Sequence, residues 1–288
     1  GKGTLRTVYA MGCLTQRYRE ALAKEVPEVD GMFGSDETPA VLRALGGEFK
    51  RELLGERVLT TPSHFAYLKI SEGCDHPCSF CAIPLMRGPH VSRPMEEIVR
   101  ETEMLAARGV KEIVVIGQDT TDYGRDRYGA QRLGSLLGAI ADVPGIAWVR
   151  RMYAYPAGFP LDVLDVIAGH PRVCKYLDMP VQHVSDPLLK SMRRGISRRS
   201  LLGLIETIQT RVPGIALRTP LIVGYPGETE REFSELLSFV RVVRFARLGV
   251  FTYSLEEGTT AYPLGDPVPA GEKERRRAAI MEAQQKIS

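Results

Sequence analysis

The chain has 288 residues, enough for one large domain or for one large and one small. At 44% hydrophobic and 25% charged residues it can bury a sizeable core, which excludes global disorder. The formal charge of +3 neither demands nor excludes a nucleic-acid partner, and no apolar run reaches the roughly 18 residues that span a bilayer.

In chain order, residues 1–60 read as a small αβ unit. "LRTVYAMGC" is a strand running into the helix "LTQRYREALAKEV", "VDGMFG" a second strand, and "DETPAVLRALGG" a second helix. The unit begins as if its first part were missing. From about residue 65 the pattern changes to apolar runs alternating with helices. "FAYLKIS" (65–71) is a strand, followed by a helix from Pro94 with Ile98, Val99, Thr102, Leu105 and Ala106 on one face and Gly109 as its stop. "KEIVVIGQD" (111–119) is a short uninterrupted apolar run, expected of a parallel strand. Further strands are predicted at 146–155, 175–181, 215–224 and 247–254. Thr229 and Glu232 form a capping box at the start of a helix striped by Phe233, Leu236, Leu237 and Val240. "AGEKERRRAAIMEAQQKIS" is a final helix with no stop signal, its arginines read as surface decoration.

Six strands each followed by a helix predict an α/β fold, a partial (β/α)6 barrel over 61–288 behind the truncated αβ unit; a doubly wound open sheet gives the same one-dimensional pattern. No internal repeat or low-complexity tract is present. With neither a leader-like apolar stretch nor a spanning segment, the expected location is cytoplasmic.

Five cysteines are an odd and sparse count for a secreted scaffold, and clustered thiols in a reducing compartment point to metal. Cys74, Cys78 and Cys81 lie in "GCDHPCSFCA" with spacing C-x3-C-x2-C, directly after the first barrel strand. Loops in that position form the active face of a β/α barrel. Soft thiolates select zinc, cuprous copper or iron–sulfur clusters. Structural zinc wants four protein ligands, whereas a cubane on three thiolates leaves one iron open. A zinc site would need His76, cramped between two ligands, or Cys174, which sits before a distant strand; buried hydrophobic thiols are the plainest alternative. Cys174 itself reads as an ordinary buried thiol.

With an aromatic, Phe80, before its last cysteine, this spacing resembles the signature of the radical S-adenosylmethionine (SAM) superfamily. The flanking "YLKISEGCDHPCSFCAIPLMRGPHVSRP", with "MGCLTQRY" and "LIVGYPGETEREF", resembles its methylthiotransferases over essentially the whole chain. "PLMRG", "IGQDTTDYG", "MYAYP" and "MPVQH" are similar to the subfamily that modifies an aspartate of a small-subunit ribosomal protein, where the tRNA-adenosine subfamily tends toward "PYTRG", "GQNVNSYG", a "SHP" ending and "PVQSGS". The tRNA enzyme is the alternative.

The resemblance implies a transferase that places a methylthio group on the aspartate β-carbon, using two SAM molecules per turnover: one methylates a sulfur at an auxiliary cluster, the other yields the radical. It implies a SAM-binding [4Fe–4S] cluster on Cys74, Cys78 and Cys81. A second [4Fe–4S] cluster in the N-terminal domain is implied too, to which Cys13 would be one ligand, its two companions preceding Gly1. A small C-terminal β-domain (TRAM-like) is expected in the family and absent from this sequence. The implied partners are a small-subunit ribosomal protein or the ribosome and an electron donor such as flavodoxin or ferredoxin, with no membrane.

SAM contacts are expected at Gly117, Gln118 and Asp119 after the second barrel strand, at Gln182 and His183 after the fourth, and at Phe80 and Tyr67. Each has a plainer reading as turn, surface or packing residue. "GYPGET" (224–229) suits either an anion or a bare strand-to-helix turn. The arginine-rich "MRRGISRR" is either a solvated face or a contact for a phosphate-bearing surface.

Overall fold

The computed structural model describes residues 6–47 and 57–288; residues 1–5 and 48–56, which the 1–60 unit includes, lie outside the described residues. The first elements are β1 (Tyr9–Met11), α1 (Cys13–Glu25), β2 (Gly31–Phe33) and α2 (Thr38–Ala44). β1 and β2 pair in parallel with Tyr9 opposite Gly31. This αβ crossover matches the predicted order of elements.

The larger part opens with β3 (Phe65–Lys69). A small antiparallel pair follows, β4 (Ser71–Glu72) against β5 (Val91–Ser92), with the short α3 (Ile83–Arg87) between its strands. Then come α4 (Met95–Ala107), β6 (Glu112–Ile116), α5 (Arg125–Tyr128), α6 (Leu133–Asp142) and β7 (Trp148–Arg151). The chain continues through α7 (Asp162–Gly169), β8 (Tyr176–Asp178), α8 (Asp186–Ser191), α9 (Arg198–Arg211) and β9 (Ala216–Val223). It ends with α10 (Glu230–Val243), β10 (Arg247–Thr252) and α11 (Ala270–Gln285).

β3, β6 and β7 form one parallel sheet in that order, and β8, β9 and β10 a second. A parallel bridge from Val149 to Val173 joins them: the Val149 N–H donates to the Arg172 carbonyl at 2.8 Å and the Cys174 N–H to the Val149 carbonyl at 2.9 Å. Six strands thus add in chain order on one side only. A doubly wound sheet reverses its strand order; this one does not, and the result is the partial (β/α)6 barrel. β3 and β10 are its two open edges among the described residues.

All six predicted barrel strands are present, and several stop early at the end where the loops begin. The third ends at Arg151 because Tyr153 turns into the left-handed region at φ 58°. The fourth ends at Asp178, two residues before Pro180, which has no N–H to give the ladder. Strand alternation sets the two faces. In β9, Leu217, Thr219, Leu221 and Val223 are buried under the helices, while Arg218, Pro220 and Ile222 face the concave inner side. The helix-side layer is the core, with Leu68, Ile98, Leu105, Val115, Leu137, Ile140, Leu177 and Leu236 all fully buried.

The capping box holds: the Thr229 N–H donates to Glu232 Oε2 at 3.1 Å and the Arg231 N–H to Thr229 Oγ1 at 3.3 Å. Pro94 stands at the N-cap of α4 rather than inside it, and Gly109, at φ 92°, ends that helix as predicted. The last helix differs from its reading as a decorated surface. Lys273 and Arg276 of α11 are buried. The Arg276 Nη1 donates to Glu228 Oε2 at 3.0 Å, and Lys273 Nζ to the Tyr253 carbonyl at 2.9 Å. Arg275 and Arg277 stay on the surface as read, so only Lys273 and Arg276 depart from that reading, on a docking face shared with Ile280 and Ala283. No helix among the described residues is long and apolar enough to cross a membrane.

Candidate functional site

The cysteine loop leaves β4 at Gly73, where φ is 74° and a Cβ would fall 1.9 Å from the Pro89 carbonyl oxygen, so only glycine permits this return. The loop is then tied on several sides. The Cys74 N–H donates to the Gly88 carbonyl at 3.1 Å, Asp75 Oδ1 accepts from the His90 N–H at 2.9 Å, and the Ser79 N–H donates to the Met192 carbonyl at 3.1 Å. The Cys81 N–H closes back on the Cys78 carbonyl at 3.1 Å. A loop anchored this way presents its side chains in fixed directions.

Those directions converge. Cys74, Cys78 and Cys81 line one cavity of about 320 Å³ at the C-terminal ends of the strands, together with His76, Phe80, Ile83, Gln118, Tyr153, Tyr155, Pro180, Gln182, Arg194, Pro220, Ile222 and Phe251. The volume is in the range of small-molecule sites. Burial pushes the Cys74 thiol up to about 12, and burial likewise raises Cys81. Without metal these two are neutral thiols, and ligation would release their protons.

His76 is not a spare ligand. Its Nε2 lies 2.8 Å from Asp119 Oδ2, and its ring stacks on Tyr155 with centroids 3.5 Å apart and planes at 9°. Asp119 is buried, and its Oδ1 accepts from the Thr121 N–H and hydroxyl at 2.8 and 2.5 Å. Burial raises this carboxyl, but the bonds from His76 and Thr121 outweigh it and hold the group below its ordinary value. The pair is a strut under the cysteine loop.

Of the residues expected to meet SAM, Phe80, Gln118 and Gln182 line the cavity. The Oε1 atoms of Gln118 and Gln182 are buried without hydrogen-bond partners, and Gln182 holds a left-handed φ of 72°. Asp119 lies beneath the cavity with its oxygens already engaged, and Gly117 packs against Ser71 Oγ, 2.7 Å from where a Cβ would sit. His183 and Tyr67 are not brought to the cavity. Alternation after Gln182 turns His183 inward, where Nδ1 accepts from the Ser185 N–H at 3.0 Å and Nε2 faces Glu228 Oε1 at 3.4 Å. Tyr67 stands on β3, 44% exposed. The "GYPGET" turn is filled from within, since the Gly224 N–H donates to Glu228 Oε2.

Arg194 and Tyr155 complete the wall and were not singled out from the sequence. Arg194 Nη1 donates to Cys78 Sγ at 3.1 Å, its guanidinium lies 4.3 Å from the Tyr155 ring centroid, and the Tyr155 hydroxyl donates to the Arg194 carbonyl at 2.8 Å. Arg194 is buried, so the run "MRRGISRR" is not one surface feature: Arg193 and Arg199 are exposed, and Arg198 pairs with Glu235 at 3.2 Å.

Cys13 is the first residue of α1, half-buried and outside the cavity lining. α1 leans on the same rim of the barrel: Arg17 Nη1 bonds Glu256 Oε2 at 3.0 Å, and from the loop after β2 the Ser35 hydroxyl donates to the Met86 carbonyl in α3 at 3.1 Å. Cys174 is half-buried before β8, likewise outside the lining.

The donor set fits an iron–sulfur cluster with an open corner. Three thiols share the cavity, the histidine between them is bonded elsewhere, and Gln118, Gln182 and Arg194, each with a buried unpartnered polar atom, are among its lining residues. Among the described residues the set of ligand atoms within 4.8 Å of one another is His76, Asp119 and Asp122 rather than the three sulfurs. One zinc ion, with Zn–S near 2.3 Å, would draw its sulfurs to about 4 Å apart.

Comparison with known proteins agrees. The sequence profile of the Radical SAM superfamily matches residues 68–240. The chain is 56% identical over 286 residues to the ribosomal protein uS12 methylthiotransferase RimO of Cytophaga hutchinsonii, covering 99% of this chain and 65% of that protein. It is 54% identical over 287 residues to the protein of the same name from Flavobacterium johnsoniae, covering 100% and 66%. The chain therefore spans just under two thirds of the length of these relatives. Among solved structures it resembles the radical SAM methyltransferase TsrM of Kitasatospora setae, with tryptophan and a SAM analogue bound, at a TM-score of 0.68 and 16% identity over 89% of this chain and 57% of that one. The cobalamin-dependent radical enzyme OxsB follows at a TM-score of 0.61 and 13% identity, over 95% and 43%. These two likenesses speak for the fold alone. A profile match over most of the partial barrel, including the loop whose three thiols share one cavity, places the chain in the radical SAM superfamily.

Proposed function

We propose that this chain is the core of a methylthiotransferase that adds a methylthio group to the β-carbon of an aspartate in ribosomal protein uS12. The convergence of Cys74, Cys78 and Cys81 on one cavity, with no fourth cysteine or free histidine lining it among the described residues, carries the radical SAM chemistry. The similarity to the two uS12 methylthiotransferases supports the substrate. In this reading the three thiols ligate a [4Fe–4S] cluster, and SAM occupies the rest of the cavity against Phe80, Gln118 and Gln182. Bound there, cluster and SAM supply the one-electron chemistry that removes a hydrogen atom from an unactivated carbon, beyond the reach of acids and bases.

The chain's own part is to hold and to exclude. The loop ties at Gly88, Met192 and Asp75 fix the three thiols. The orphaned Gln118 and Gln182 oxygens accept hydrogen bonds from the cofactor's amino group or hydroxyls. Pro180, Pro220 and Ile222 give the cavity an apolar wall, which disfavours water beside the reacting atoms. The 1–60 unit belongs to a methylthiotransferase N-terminal domain, with Cys13 as one ligand of a second cluster that stores the sulfur to be transferred. The partners are uS12 on the ribosome and a cytoplasmic one-electron donor of the flavodoxin or ferredoxin class.

Two measurements test this. After anaerobic reconstitution with iron and sulfide the protein is expected to be brown and to release 5′-deoxyadenosine from SAM under dithionite, and Cys78→Ala to lose both. Mass spectrometry of ribosomal proteins, with and without the full-length protein in a deletion strain, is expected to show one added methylthio group on one uS12 aspartate. A colourless, zinc-loaded protein would defeat the cluster assignment, and methylthioadenosine appearing in tRNA instead would defeat the substrate.

A further inference from the structure

Arg194 is a cation sealed into the molecule without a carboxylate beside it. Its side chain is 3% exposed, and its hydrogen bonds run from Nη1 to Cys78 Sγ at 3.1 Å and from Nη2 to the Pro180 carbonyl, while Nε has no partner. Arg276, equally buried, faces the carboxylates of Glu228 and Glu272 at 3.0 and 2.7 Å. A guanidinium stays protonated throughout the accessible pH range, and a buried charge without an opposite one is strongly unfavourable. The group positioned to balance Arg194 is therefore sulfur: Cys78 carries negative charge once it becomes a metal-bound thiolate.

The contact is also held rigidly. The guanidinium lies over the Tyr155 ring at 4.3 Å, the Tyr155 hydroxyl bonds the Arg194 carbonyl, and the ring is stacked on His76, itself bonded to Asp119. This aromatic platform aims an N–H donor at one particular sulfur. It ties together parts of the chain 116 residues apart in sequence.

We propose that Arg194 sets the reduction potential of the cluster held by Cys74, Cys78 and Cys81, through its N–H···S bond to Cys78 and its buried positive charge. The inference rests on the cluster reading above. One-electron reduction adds one negative charge to an anionic cluster, and hydrogen bonds to ligand sulfurs together with net local charge set the potential at which this happens. A donor and a cation at Cys78 stabilise the reduced form and raise the potential, bringing the cluster within reach of a weaker electron donor.

The test is an EPR-monitored redox titration, with dithionite and mediators and without SAM, of the anaerobically reconstituted protein. Iron and sulfide are assayed on every sample. Arg194→Met removes both the charge and the donor, and is expected to shift the oxidised/reduced equilibrium against reduction by tenfold or more, a fall of at least about 59 mV for a one-electron couple. Arg194→Lys keeps the charge but not the planar fork, and is expected to give a smaller fall in the same direction. An Arg194→Met protein with full iron and sulfide and the wild-type midpoint overturns the proposal. Should Arg194→Met take up no cluster, Arg194→Lys decides alone, and an unchanged midpoint there overturns it. If both variants fail to take up iron, Arg194 is a folding element and the tuning role is likewise overturned. Wild-type protein without iron or sulfide removes the cluster reading itself, an outcome the metal assay distinguishes from a failed shift.

Discussion

Along α6 of the partial barrel, Leu136, Leu137 and Ile140 are fully buried; along α1 of the N-terminal unit only Thr15 is buried, and Leu14 is 60% exposed. α2 has no buried residue at all. The partial barrel owes its order to a continuous apolar layer between strands and helices. The N-terminal unit, among its described residues, is held largely by polar contacts: Arg17 with Glu256, Ser35 with Met86, and the Thr15 hydroxyl with the Gly12 carbonyl at 2.9 Å. Fixing a catalytic loop calls for the first kind of construction, since packed layers do not yield continuously. A unit that only has to sit against a rim can be built the second way.

Substitutions can break or sharpen this contrast. Leu137→Ala in α6 opens a void in the sealed layer and is expected to lower stability by about 2–5 kcal/mol, read by chemical denaturation. A loss well under about 1 kcal/mol would mean that the layer is not what carries the partial barrel. Thr229→Ala removes the cap of α10 and is expected to cost about 1 kcal/mol, with the helix otherwise intact. Arg17→Ala loosens the clasp on the rim; Glu256 is 42% exposed, so the expected effect is below about 1 kcal/mol. Its readout is faster limited proteolysis between α1 and α2 with an unchanged denaturation midpoint for the partial barrel. A midpoint drop as large as that of Leu137→Ala would join the two units into one cooperative structure.

What could be read from the sequence follows the range of the interactions. Six strands, the helix stop at Gly109 and the box of Thr229 with Glu232 depend on neighbours a few positions away, and all three were legible. So was the thiol triplet, because Cys74, Cys78 and Cys81 lie on one loop and converge from one short segment. Arg194 was hidden. In sequence it is one arginine in a basic run, and only the fold buries it against Cys78 while leaving Arg193 and Arg199 outside. Arg276 was misread for the same reason: the partner that turns its helix face inward is Glu228, 48 residues earlier. His183 and Gln182 are adjacent, but the alternation that sends one to the cavity and the other to the interior becomes fixed only once the strand register is known.

The unjoined edges of β3 and β10 have a consequence for access to the concave inner side. A barrel closed by eight strands is plugged by its own side chains and is approached only from its mouth. With six staves the wall stays parted along one flank, where Tyr67 of β3 and Phe251 of β10 stand at 44% and 60% exposure. A loop carried on a bulky folded molecule fits such a gap from the flank, with no need to thread the mouth.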